Sequence, residues 1–321
     1  MCAPLTKTLE LTKTRGERRQ AHETIRNYSQ GRPPILAKSW LLSDKSRMFA
    51  REIRFFFTAW MFFTRIPLSA RLYAWVGYSV ELMNGAARYY PLVGLLIGAA
   101  GAAVFLFCLW LFTPLVAVAL SMAATVLMTG AFHEDGFADV CDGFGGGTTP
   151  ERVLEIMKDS RVGAFGAIGI ALLLLLKFSA LLSLAEGSDA WLTAWTMVAG
   201  HALSRVAPVA LIRFMVYVRP AQDAKAKPLA DTASTGALLV AALFGILPLV
   251  GIAWFYDNGW LFALGLIPLA LVTWLAGWWF SRRIGGYTGD CLGSAQQVAE
   301  VAFYLFAVAL LAGPALDSAS V

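Results

Sequence analysis

Residues 133–143 read His-Glu-Asp-Gly-Phe-Ala-Asp-Val-Cys-Asp-Gly and follow directly on a long apolar run. Asp135, Asp139 and Asp142 stand at i, i+4 and i+7, so a helix through this stretch projects all three from one face. Three anions on one face repel one another. A bound hard cation relieves that repulsion, and carboxylate oxygens suit Mg²⁺ or Mn²⁺. Glu134 offers a fourth oxygen ligand to the same metal, and His133 could cap, ligate or transfer a proton. Acids of this kind at the edge of a membrane-length segment point to chemistry on phosphates. A solvated acidic loop is the plainer reading, but the regular spacing is wasted in a loop.

The run 143–147, Gly-Phe-Gly-Gly-Gly, is expected to end that helix and to free backbone N–H groups for close approach to an anion. Thr149 then reads as an N-cap, Pro150 as a first helical residue and Glu151 as a first-turn acid. The helix they open is expected to reach about residue 160. Its end carries Lys158-Asp159-Ser160-Arg161. Arginine presents a planar fork to phosphate oxygens and lysine a point charge, which makes Lys158 and Arg161 candidate substrate ligands. Helix-end charge complementarity accounts for the same two cations without any ligand. Asp159 could complete a metal site or act as a base. A second polar segment, Gly285-Gly286-Tyr287-Thr288-Gly289-Asp290-Cys291-Leu292-Gly293, offers Thr288 and Asp290 to a metal or to a substrate hydroxyl.

The elements that must position these groups are membrane helices. The chain has 321 residues, is 58% hydrophobic and has a mean hydropathy of +0.63, outside the range of ordinary soluble domains. Its apolar runs reach the ~20 residues needed to cross a bilayer core. The expected fold is an all-α polytopic transmembrane bundle with seven spans, near 90–112, 114–132, 163–184, 191–216, 236–255, 260–280 and 298–312. Gly94, Gly98 and Gly101 imply close helix contact. The apolar stretch 55–63, bracketed by Arg54 and Arg65, is too short to span and reads as an interfacial or re-entrant helix. Residues 1–50 read as a basic cytoplasmic extension, and 51–315 as one integral-membrane catalytic domain.

Loop charges orient this bundle. Arg152, Lys158 and Arg161 fall between the second and third spans. Arg219, Lys225 and Lys227 fall between the fourth and fifth, and Arg282 and Arg283 between the sixth and seventh. The remaining turns contain no Lys or Arg. Positive loops stay in the cytoplasm, which places the N-terminus and every polar motif on that side of the membrane. The net charge of +5 is accounted for by these loops and the N-terminus, so no nucleic-acid partner is expected. The four cysteines have neither metal nor disulfide spacing. A homo-oligomer is compatible with the sequence.

Lys177, His201, Arg205 and Arg213 lie inside apolar runs. A charge there costs about 3 kcal/mol on insertion scales and faces a partner or a wet cavity. Lys177 and Arg205 are assigned to a substrate-binding cavity, Arg213 to snorkelling and His201 to an interhelical hydrogen bond. Glu300, at the start of the last span, is expected to face the bundle interior.

These residues resemble a known family. His133 to Asp139 with Asp142-Gly143, then Met157-Lys158-Asp159-Ser160-Arg161-Val162-Gly163-Ala164-Phe165-Gly166, and finally the 285–293 segment, resemble cobalamin synthase, also called adenosylcobinamide-GDP ribazoletransferase. Thr64-Arg65-Ile66-Pro67 and Tyr90-Pro91-Leu92-Val93-Gly94 are similar to that family's N-terminal signatures. The resemblance runs from about residue 55 to residue 312. It implies a Mg²⁺-dependent inner-membrane enzyme that joins adenosylcobinamide-GDP to α-ribazole or its 5′-phosphate and releases GMP. On that reading Asp135, Asp139 and Asp142 hold the metal against the diphosphate. Lys158 and Arg161, with Arg205, hold phosphate oxygens, and Asp159 or Asp290 takes the hydroxyl proton. Two rivals are a CDP-alcohol phosphotransferase and a cation transporter. In the first, an arginine precedes the aspartate where Ala138 stands here. The second would place its charges near the midplane. A structural scaffold would explain the hydrophobicity but not the acids.

Overall fold

Where water is absent, backbone N–H and C=O groups must be paired within their own segment, so apolar runs of membrane length fold as helices. The computed structural model describes residues 35–218 and 230–313, with side chains from residue 46 onward. Arg15, Arg18, Arg19, Arg26, Arg219, Lys225 and Lys227 lie outside the described residues. The chain divides into Met1–Ile53 and Arg54–Val321. The described part of the first unit is helical throughout.

In chain order the helices are α1 (Ile35–Phe63), α2 (Ala70–Val76), α3 (Val80–Ala86), α4 (Tyr90–Cys108), α5 (Pro114–Thr129), α6 (Phe132–Gly146) and α7 (Pro150–Ile156). They continue with α8 (Ala164–Gly187), α9 (Ala190–Ser204), α10 (Val206–Phe214), α11 (Thr235–Phe255), α12 (Leu266–Ile284) and α13 (Gly289–Leu311). Among the described residues no strand forms beyond one isolated bridge between Tyr217 and Tyr287.

Six segments are long and apolar enough to cross a membrane: Val80–Cys108, Ala164–Gly187, Ala190–Phe214, Thr235–Phe255, Gly259–Ile284 and Gly289–Leu311. These match six of the expected spans. The second expected span differs. It is not one straight helix over 114–132 but α5 and α6, bent by 87° at a short break. Counted as one span, the pair makes the seventh crossing. Gly130 (φ 67°) and Ala131 (φ 56°) both take the left-handed conformation and end α5 there. The stretch expected as a short helix over 55–63 is the C-terminal end of α1, which is 29 residues long and is not among the membrane-length apolar segments.

The expected glycine contacts are present. A Cβ on Gly94 would collide with the His201 carbonyl and the Arg205 side chain, and one on Gly98 would come within 2.9 Å of Val198 Cα. α4 therefore lies directly on α9, as small residues allow in membranes. One apolar cluster, including Phe63, Tyr90, Phe144, Met157 and Phe280, underlies α6. A second, including Phe105, Leu184, Phe262, Phe303 and Tyr304, fills the space between spans elsewhere in the bundle.

Candidate functional site

The carboxylates stand on α6, and the surrounding sequence fixes that helix at both ends. At its start, Phe132 meets Phe62 edge-on at 5.0 Å and His133 stacks on Phe63 at 5.2 Å. The Arg65 N–H donates to the Met128 carbonyl (2.7 Å), and its side chain fills the place that a Cβ on Gly130 would need. The Thr64–Pro67 segment thus buttresses the bend. At the other end Arg283 donates to the carbonyls of Phe144 (2.9 Å) and Gly147 (2.8 Å). A cation bonded to the last carbonyls satisfies groups that the helix leaves open and complements its dipole.

The glycine run does not end α6 where the sequence reading placed the stop. Gly143, Gly145 and Gly146 are helical, and Gly147 is the C-cap. These glycines serve close packing: added Cβ atoms would collide with Met157 at Gly143, Phe165 at Gly145 and Val153 at Gly147. α7 begins as expected, with the Thr149 side chain accepting from the Arg152 N–H (3.3 Å), but ends at Ile156 rather than near 160.

Two motifs far apart in sequence meet on α6. A Cβ on Gly136 would lie 3.0 Å from the Asp290 Cα, and one on Gly293 would lie 3.2 Å from the His133 carbonyl. The start of α13 therefore rests on the acidic helix. Thr288 caps α13, accepting from the Cys291 N–H at 3.4 Å, and Asp290 sits half-buried in its first turn.

The acids separate into three settings. Asp135 is exposed and Asp139 half-buried, one turn apart on α6. Asp142 is buried and accepts from the N–H groups of Gly163 (2.7 Å) and Gly166 (2.8 Å), so it caps α8 from a neighbouring helix. Both positions must be glycine, because a Cβ at either would collide with the Asp142 carboxylate. Glu134 turns into the core, where the Gln297 amide donates to its Oε1 at 2.9 Å and its Oε2 is buried without a hydrogen-bond partner.

The four-carboxylate metal set expected from spacing is therefore not assembled. Among the described residues no three His, Cys, Asp or Glu side chains converge where they could hold a metal ion. Glu134 faces the wrong way and Asp142 is engaged by backbone donors. Asp135 and Asp139 remain, with Asp290 carried close by α13. Mg²⁺ is commonly held by one or two carboxylates together with substrate phosphates and water, so this smaller oxygen set still fits such an ion.

Beside the end of α6 lies a cleft of about 670 Å³, walled in part by Asp142, Arg152, Glu155, Asp159, Arg161 and Phe165. Arg161 and Asp159 form an exposed ion pair at 2.6 Å. Hydrogen bonding to Asp159 holds the Arg161 guanidinium even more firmly protonated than usual. Lys158, half-buried, immediately precedes that pair.

Three expected site residues are corrected by burial. Lys177 does not line the cleft: it is 4% exposed and pairs with Glu300 at 2.8 Å. Arg205 is 1% exposed and donates to the His201 carbonyl at 2.6 Å. His133 is 3% exposed beneath Phe63 and does not line the cleft. Lys177 and Arg205, together with Gln296, Gln297, Ser204 and Tyr304, belong to a hydrogen-bonded knot inside the bundle. Gln296 bridges Glu300 (2.7 Å) and Ser204 (2.8 Å), and Tyr304 donates to Glu300 at 3.1 Å. Glu300 faces inward as expected, and His201 lies 3.6 Å from its carboxylate. Sequence reasoning took Arg283 only as a loop charge and passed over the two glutamines. Two adjacent amides within a membrane-length segment are a legible signal, since each needs a partner at that depth.

The model of a family described as cobalamin-5-phosphate synthase matches residues 55–308. An adenosylcobinamide-GDP ribazoletransferase of Polaromonas sp. (strain JS666 / ATCC BAA-500) is 47% identical over 276 residues, covering 79% of this chain and 95% of the relative. One from Ralstonia pickettii (strain 12J) is 50% identical over 249 residues, covering 76% and 91%. A third, from Shewanella frigidimarina (strain NCIMB 400), is 45% identical over 260 residues, covering 81% and 96%. No solved structure matches the chain.

Proposed function

The chain belongs to the cobalamin-5-phosphate synthase family, and on that premise we propose that it is an adenosylcobinamide-GDP ribazoletransferase. It joins adenosylcobinamide-GDP to α-ribazole or its 5′-phosphate and releases GMP. The observation that carries this reading is the meeting of the acidic helix with the start of α13, next to a cleft that holds Arg161 and Asp159.

Asp135 and Asp139 are the residues that would hold Mg²⁺, whose charge would offset that developing on the GMP leaving group. Arg161 binds phosphate oxygens and exchanges its bond to Asp159 for them. Asp159 or Asp290 accepts the proton of the attacking ribazole hydroxyl. Asp142 and Arg283 hold the acidic helix in place: one ties α6 to the start of α8, the other fixes its end. The Arg152–Arg161 and Arg282–Arg283 loops flank this site, while the turns near 113, 186–189 and 257–259 carry no Lys or Arg. That asymmetry supports a cytoplasmic site in the bacterial inner membrane.

The test is GMP release from adenosylcobinamide-GDP by purified protein, with α-ribazole and Mg²⁺ supplied or withheld. Release that requires both supports the proposal. Release without α-ribazole would identify a hydrolase, and no release at all would remove the assignment.

A further inference from the structure

α10 and α12 run side by side and are tied at one end, where the Tyr287 N–H donates to the Val216 carbonyl (2.9 Å) and the Val218 N–H to the Tyr287 carbonyl (3.0 Å). Between them opens a crevice of about 610 Å³, walled by Ala210, Phe214, Ala270, Trp274, Gly277 and Trp278 among others. Both helices belong to membrane-length segments. The crevice follows α12 from Leu269 to Ser281, about 18 Å along the helix at 1.5 Å per residue. One leaflet's share of a hydrocarbon core about 30 Å thick is close to that length. An unfilled gap at such depth forfeits its dispersion contacts, so a lipid tail enters it readily.

The tied end of the crevice is cationic. The Arg282 guanidinium lies 5.0 Å over the Trp278 ring and that of Arg213 lies 5.4 Å over the Phe214 ring, and both rings line the crevice. Both arginines are exposed. Arg213 also donates Nε to the Thr235 hydroxyl at 3.3 Å, which restrains its guanidinium. An apolar slot one leaflet deep with two guanidinium groups at its mouth matches an amphiphile with a single anionic head.

We propose that this crevice binds an anionic phospholipid, with one acyl chain between α10 and α12 and the head phosphate held by Arg213 and Arg282. The site is separate from the acidic helix, and its existence does not depend on the transferase reading.

The detergent-purified full-length chain is titrated with phosphatidylglycerol and with phosphatidylcholine of identical chains, and bound lipid is counted by native mass spectrometry. Each arginine near the head contributes about fivefold to the preference for the anionic lipid. Arg282→Gln is expected to reduce that preference about fivefold, and Arg213→Gln with Arg282→Gln to abolish it. Ala270→Trp places a ring in the slot from an exposed wall position and is expected to release both lipids without lowering the melting temperature. Equal retention of the two lipids by the unaltered chain would overturn the proposal. So would lipid counts untouched by Ala270→Trp, displacement of the lipid by inorganic phosphate alone, or a dimer whose dissociation is what frees the crevice.

Discussion

Glu134 and Asp135 are neighbours in the chain, yet one bonds Gln297 inside the bundle and the other stands exposed. The two regions they belong to treat charge in opposite ways. In the knot, Glu134 and Glu300 face Lys177 and Arg205, and amides and hydroxyls take most of the remaining bonds. At the rim, Asp135, Asp139 and Asp290 are half-buried or exposed, and Asp159 and Arg161 wall a cleft large enough for a nucleotide. A buried, internally neutralised charge has little left to offer a substrate, while removing its partner leaves an ion stranded in low dielectric. Charge count along the sequence therefore locates both regions, and burial tells them apart.

That contrast predicts a division of mutant phenotypes. Asp139→Asn should lower GMP release about a thousandfold, an effect of ~4 kcal/mol on the barrier, with normal yield and melting temperature. A loss of folded protein instead would move Asp139 into the structural group. Lys177→Met strands Glu300 and should cost about 3 kcal/mol of stability, read as a collapsed melting temperature in detergent. Adding Glu300→Gln to that variant should recover most of the loss, since the knot is again neutral. Arg283→Gln removes two charge-assisted bonds at the end of α6 and should cost about 2 kcal/mol, whereas Arg283→Lys should keep part of that stability. Arg161→Ala should raise KM for the nucleotide substrate about tenfold while changing stability by less than ~0.5 kcal/mol, because its ion pair is exposed. If stability falls as much as affinity, the rim is structural after all.

The smallest effect is expected away from both regions, between the start of α9 and the end of α11. Asp189 caps α9 through the N–H groups of Trp191 (2.9 Å) and Leu192 (3.0 Å), and accepts from the Tyr256 hydroxyl at 2.6 Å. Partial burial pushes its pKa up, but these three donors outweigh it, so the carboxyl titrates below its usual value of 3.8. A depressed folded-state pKa means the contribution is complete above the unfolded pKa and is lost as pH falls through the folded one. Melting temperature should therefore drop modestly below pH 4, and Asp189→Asn should be lower at neutral pH but flatter across that window.

Much of this arrangement was legible before any coordinates. The i, i+4, i+7 acids lie on a helix, the glycines at 94 and 98 mark a helix contact, and six spans fall within a few residues of their hydropathy limits except where Val80 begins the first and Gly289 the last well early. Other features were not legible, for physical reasons. Glu134 sits about 100° around the helix from Asp135, and which of the two faces water depends on a glutamine that is 163 residues away from Glu134. Lys177 and Glu300 read separately as costly charges, and only their contact makes them a pair. The glycines of 143–147 serve a close approach between helices, which composition cannot distinguish from a flexible turn. The bend at Gly130–Ala131 has no proline to announce it.

At that corner, length and breadth exchange places. α6 leaves α5 at 87°, so residues that lengthen α5 and residues that lengthen α6 carry the chain in nearly perpendicular directions. Asp135 and Asp139, the two acids of α6 that are not buried, are then separated by about 6 Å along that second direction. Adding a turn to α5 would shift that pair together, while adding a turn to α6 between them would only widen it.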